Sequence, residues 1–297
     1  MITLYVHTLN EGSWDFDQLA RLWSEANGDN LDVRFDFRGC IFLRQNAVAF
    51  IGGLTRLIEY RGGRVVFGWD TMTSAVSANL AQNGFMEAFG GPRKPWQGNS
   101  IPFRQDGFLD AAGFGDYLTR LWLGRGWISV SLDLRDAIVG RMAEIYLNAF
   151  EHSHSPIGVF TCGQYFPKNH ELNLSIVDFG VGIPSNVRSF KVNDFAPEEL
   201  AAANCMKWAF QRGTSTNPGK PGQGARGLGL DLLQDFVRLN GGRLEMFSHE
   251  GYASIRDGKL AFAERTSLFE GTLVNISLRC DESYYCLASE TNEEPLF

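Results

Sequence analysis

The stretch 144-EIYLNAFEH-152 decides how this chain is read. Glu144, Asn148 and His152 recur every fourth residue, so on an α-helix they lie along one face and drift only about 40° per step. The helix that carries them is expected over Asp133 to Ser153, with Ala137, Ile138, Met142, Ile145 and Ala149 as its apolar stripe. A polar stripe therefore runs beside the apolar one. A carboxylate and an amide one turn apart suit Mg²⁺-assisted phosphate chemistry: the amide oxygen holds a hard cation and the carboxylate holds a water. Taken alone the pattern is weak, because solvated helix faces carry Glu and Asn routinely and a lone His152 reads equally well as a packing or surface histidine.

Three further segments downstream bear on the same chemistry. Residues 176–184, IVDFGVGIP, form a buried strand that ends in Asp178, followed by Gly180 and Gly182. A carboxylate at a strand end can accept from an exocyclic amine, and glycines beside it let a flat base approach the backbone. Residues 220–230, KPGQGARGLGL, place Gly222, Gly224, Gly227 and Gly229 before a helix whose free N–H groups face an anion. A dinucleotide fingerprint is excluded, since a Thr/Asn/Pro/Gly stretch and not a strand precedes these glycines. A Walker A loop is excluded too, because Pro221 occupies the place of the Mg²⁺-binding hydroxyl. Residues 271–278, GTLVNISL, are a Gly271-Thr272 turn entering an alternating strand. Each of these three, read in isolation, is also an ordinary turn or strand start.

Together and in this order, the four segments resemble the N, G1, G2 and G3 boxes of the GHKL ATPase superfamily, which includes gyrase, histidine kinases and mismatch-repair ATPases. The likeness spans roughly residues 110 to 280. It implies a Bergerat-type α/β sandwich holding ATP between a helical layer and a sheet, with Mg²⁺ on Asn148 and Glu144 as general base. It further implies Asp178 on the adenine amine, with His152, Gly180, Gly182 and Thr272 around the nucleotide, and Lys220, Gly222, Gly224, Arg226, Gly227 and Gly229 at the phosphates. Residues 190 to 226 then look like the mobile lid, with Arg212, Lys220 and Arg226 as phosphate contacts.

Upstream, 31-LDVRFDFR-38 alternates strictly, the period of a half-buried strand. Phe16, Leu19, Ala20, Trp23 and Ala26 recur at helical spacing behind Asp15, read as the N-cap, and Ala47, Val48, Ile51, Leu54 and Ile58 do so after the strand. With Val65 to Trp69 and a shorter helix ending at Gly84, the order is strand, helix, strand, helix, strand, helix. This half resembles the STAS module of anti-sigma-factor antagonists. Where that family carries an acidic residue and a phosphorylatable serine, this sequence reads Arg44, Gln45, Asn46, Ala47, so the phosphorylation site is not implied. The expected fold is thus α/β plus α+β: a STAS-like α/β domain at 1–91, a linker at 92–106, a GHKL domain at 107–281 and an acidic tail at 282–297.

Composition bounds the partners. Of 297 residues, 27 are Lys or Arg and 34 are Asp or Glu, a net charge of −7 that disfavours nucleic acid as the main partner. The five cysteines are scattered and never in a CxxC pair, arguing against a disulfide framework and against zinc. Without an apolar run long enough to span a bilayer or a secretory leader at Met1, the expectation is a cytoplasmic protein with no membrane association. The functional expectation is a Mg²⁺-dependent ATPase acting as a regulatory or signalling switch, with a protein partner docked through the N-terminal domain and a homodimer left open. A serine/threonine kinase of the anti-sigma-factor type, acting on a separate partner, and a nucleotide-gated interaction module with negligible turnover are the alternatives.

Overall fold

The computed structural model describes residues 1–92, 94, 98–191, 194, 196–211 and 230–290. It is a mixed α/β chain with open sheets. The first ninety or so residues build a three-stranded sheet in the order β1 (Ile2–Tyr5), β2 (Val33–Asp36), β3 (Val65–Phe67), all parallel. Parallel neighbours need crossover connections, and two helices supply them: α1 (Ser13–Glu25) and α2 (Gln45–Tyr60). Leu4, Val6, Val33, Phe35 and Phe37 are buried, as the alternation requires. Asp15 is not the N-cap of α1. Gly12 takes that place, and the Asp15 carboxylate, one turn inside, accepts from the backbone N–H groups of Asn10 and Gly12 at 2.9 Å each. Helices α3 (Ser74–Gln82) and α4 (Phe85–Ala88) follow, and Phe85 meets Phe103 at 5.3 Å between ring centroids.

Residues 100–106, read from the sequence as the end of a linker, are strand β4 (Ser100–Asp106). Pro102 has no N–H for a ladder; β4 accommodates it by lying at a sheet edge with a register shift between Ile101 and Arg104. Next come α5 (Ala111–Tyr117), extended by a π turn over Leu118–Trp122, then β5 (Ser129–Val130) and α6 (Leu132–Glu151). Ser131 caps α6 by accepting from the Leu134 N–H at 3.1 Å. Then follow β6 (Val159–Phe166), β7 (Glu171–Asp178), α7 (Gly182–Lys191), α8 (Ala202–Ala209), α9 (Leu230–Asn240), β8 (Arg243–Arg256), β9 (Lys259–Arg279) and β10 (Tyr284–Tyr285). The long strands form an antiparallel sheet in the order β4-β6-β7-β9-β8, and β10 pairs with β5.

This sheet is covered on both faces. Leu172, Leu174 and Ile176 of β7 meet a core that includes Ile138, Met142, Ile145 and Tyr146 of α6 and Leu233, Phe236 and Val237 of α9. Their neighbours of opposite parity turn the other way. Val177, with Phe160, Phe179, Phe247, Phe269 and Leu273, joins the core of the N-terminal unit, where Phe16 of α1 stacks on Phe247 at 3.9 Å. The N-terminal α/β unit and the five-stranded sheet thus share one hydrophobic core. Among the described residues no helix is long and apolar enough to cross a membrane.

Candidate functional site

Asp178 ends β7 opposite Thr272 of β9, and only 3% of it is exposed. Its parity sends the side chain toward the helical layer. The carboxylate accepts from the Gly180 N–H at 3.0 Å, a short loop that bends the chain at the strand end. Burial pushes this carboxyl up to about 7, against the Gly180 N–H, the Ser153 hydroxyl and the Thr272 N–H, which favour its ionised form.

The turn is held tightly to the end of α6. The Val181 N–H donates to the Ser153 carbonyl at 2.7 Å, and a Cβ at Gly180 would overlap that same carbonyl, so only glycine fits. Gly182 has φ +76° and opens α7 against Ser248. Ser153 Oγ lies within reach of both the Ala149 carbonyl and the Asp178 carboxylate; with one proton it serves them one at a time. Ser248, fully buried on β8, is the other fixed point: its Oγ accepts from the Ile183 N–H at 2.8 Å, donates to the Gly271 carbonyl at 2.8 Å and lies 2.9 Å from Thr272 Oγ1. Asp178, Gly180, Gly182 and Thr272 are therefore brought together as one constellation.

The α6 residues stand at graded distances from it. His152 is the C-cap of α6, and its carbonyl, not its ring, makes the connection, accepting from Asn186 Nδ2 at 2.9 Å. Asn148 precedes Ser153 by five residues and Glu144 by nine, roughly 8 and 13 Å along the helix axis. Asn148 is half-buried, and no described residue hydrogen-bonds its amide. Glu144 is partly exposed and paired with Arg141 Nη1 at 2.5 Å. Lys220, Gly222, Gly224, Arg226, Gly227 and Gly229, together with Arg212 and the rest of the expected lid from there to residue 226, lie outside the described residues; its earlier part holds the end of α7 and all of α8, whose Ala202, Cys205 and Met206 are buried, and α9 begins at Leu230. An open cavity of about 610 Å³ lies at the opposite end of β7, lined in part by His170, Glu171, Arg243 and Arg279.

The arrangement suits an adenine nucleotide in two respects. The Asp178 carboxyl is held by neutral N–H and O–H donors and can accept from one more, and an exocyclic amine is such a donor. A free amide on α6 is the kind of neutral oxygen ligand that Mg²⁺ shares with phosphates and water. Ser153 and Ser248 were not singled out by sequence reasoning. Their only signals are a hydroxyl just past a helix end and a polar residue within a buried strand, and both are common. No protein-family model matches the chain, and no curated protein matches it.

Proposed function

We propose that this protein is a Mg²⁺-dependent ATP-binding protein with ATPase activity, a Bergerat-type sandwich of the GHKL kind joined to a STAS-like N-terminal unit. The single observation that supports this most is the buried Asp178 at a strand end, clasped by a glycine turn against the helix that carries Asn148 and Glu144. In this reading the Asp178 carboxylate accepts from the adenine amine, Gly180 and Gly182 admit the base edge, and Thr272, held by Ser248, flanks it. The Asn148 amide holds Mg²⁺ through its oxygen. Mg²⁺, when bound, would supply positive charge at the phosphates, and the Glu144 carboxylate, released from Arg141, would orient and deprotonate the attacking water.

Calorimetry with ATP, with and without Mg²⁺, tests the binding step. The expected outcome is Mg²⁺-dependent binding of ATP, weak binding of GTP because a carboxylate would face the guanine carbonyl lone pairs, and loss of binding in Asn148→Ala. Equal affinities for ATP and GTP, or no effect of EDTA, would sink the assignment. Labelled ATP then reports the acceptor: free phosphate supports hydrolysis, whereas label on an added protein would make the protein a kinase.

A further inference from the structure

Successive side chains of a strand point to opposite faces, so the residue after Asp178 leaves the site and enters the core shared with the N-terminal unit. That residue is Phe179. Its ring centroid lies 5.2 Å from Phe50 of α2, 5.3 Å from Phe269 and 6.3 Å from Phe160. Against the ring lies Gly53 of α2, where a Cβ would overlap Phe179 and approach Phe160 to 2.9 Å. The neighbouring Gly52 makes the same kind of notch for Phe103 of β4. Two adjacent glycines in the middle of a helix weaken it relative to alanine. Here they let the helix backbone come down onto two aromatic rings of the sheet.

We propose that Phe179, seated in the Gly53 notch of α2, is a positioning residue through which the N-terminal unit sets the Asp178–Gly180 turn and hence the affinity for nucleotide. The inference rests on the adenine role of Asp178 proposed above. The turn is gripped from two sides. On the site side it is fixed by the Gly180 N–H on Asp178 and the Val181 N–H on Ser153; on the far side the Phe179 ring anchors it in the shared core. That ring is boxed in by Phe50, Phe160 and Phe269, and a close-packed interior gives it no free volume to step into. A methyl group on Gly53 must therefore move the helix or the strand end. Hydrogen-bond recognition tolerates displacements of only about 0.5 Å, so a shifted strand end weakens adenine binding even though no residue touching nucleotide has changed.

Gly52 provides the matched control. It is the same substitution in the same helix and the same interface, yet its notch receives Phe103 on β4, which is separated from β7 by β6. The experiment measures thermal stability and calorimetric affinity for Mg²⁺-ATP and Mg²⁺-GTP in the full chain, wild type, Gly52→Ala and Gly53→Ala. Both variants should lose stability. Only Gly53→Ala should lose ATP affinity, by about tenfold or more, with the ATP-over-GTP preference falling alongside it. Equal ATP affinity and selectivity in the two variants would overturn the inference. If Gly53→Ala does not fold, Phe179→Leu against Phe103→Leu decides on the same terms, since each keeps an apolar side chain in place. Absence of ATP binding by the wild type would instead remove the reading on which the inference stands.

Discussion

Asn173, in the middle of the five-stranded sheet, donates through Nδ2 to both carboxylate oxygens of Glu11, at 3.0 and 3.2 Å, tying the sheet to the loop between β1 and α1. Around this pair gather Arg44 at 2.8 Å, Arg243 at 3.3 Å and the Gln45 amide, all on the same Glu11 carboxylate. Arg44 is the N-cap of α2 and Gln45 its first residue, so this helix start is turned into the interface.

Glu11→Ala should destabilise the chain by about 2 to 4 kcal/mol, because it leaves the half-buried Arg44 and Arg243 without a principal partner and the Asn173 amide without an acceptor. Glu11→Gln, which keeps an acceptor oxygen, should cost less. Urea denaturation gives the comparison; an Ala variant within about 1 kcal/mol of wild type would show that Glu171, 3.4 Å from Arg44 and 3.0 Å from Arg243, suffices for both arginines.

The pH dependence follows from Asp178. Its folded pKa is raised from 3.8 to about 7, so the folded state keeps a proton that the unfolded chain has already released. The proton's contribution to stability is present below 3.8 and is lost progressively as pH rises toward about 7. Burial also raises the Glu11 carboxyl, against Arg44, Gln45 and Arg243, and it acts with the same sign. Asp178→Asn should therefore be more stable than wild type at about pH 8, with the gain shrinking on acidification. Denaturation of both proteins across that range checks the sign. ATP affinity of the wild type should fall as pH drops through about 7, when the carboxylate becomes protonated.

Ser248→Ala removes one hydroxyl that serves the Ile183 N–H, the Gly271 carbonyl and Thr272 Oγ1. The expected loss is about 1 to 3 kcal/mol, the cost of leaving buried partners unsatisfied, together with weaker ATP binding as the α7 start loosens. Ser248→Thr fills the same role only if its methyl group fits. Thermal unfolding of the Ala variant at wild-type stability would mean that water replaces the hydroxyl.

Glu144→Gln should lower ATP turnover by about 10²- to 10⁴-fold and leave affinity unchanged, since a general base acts in the transition state. Its ion pair with Arg141 is partly exposed, so Arg141→Ala should change stability by less than about 1 kcal/mol. A parallel loss of binding and turnover in Glu144→Gln would make the carboxylate a structural partner of the site.

The local elements were legible in the sequence because each is encoded within its own span. The helical stripe of Ala137, Ile138, Met142 and Ile145 appears as α6, the period-two alternation around Val33 and Phe35 as β2, and the strand ending at Asp178 as β7. The face shared by Glu144 and Asn148 follows from helical spacing alone, whereas His152 falls just past the helix as its C-cap. Strand β4 did not follow, because Pro102 reads as a breaker until the sheet places it at an irregular edge. Helix α7 was hidden behind the glycines that begin it.

What the sequence by itself determined is therefore periodicity and chemistry: which residues share a face, and which carboxylate stands at a strand end. Tertiary structure alone decided that β7 is buried on both sides, that Asn173 meets Glu11, that Ser153 and Ser248 hold the Asp178 turn, and that Gly53 makes room for Phe179. The reason is physical. Backbone hydrogen bonding and side-chain direction repeat over a few residues and leave their period in the chain. A partner more than a hundred residues away is selected by close packing and by the need to satisfy buried polar groups, and neither requirement marks either residue until both are in place.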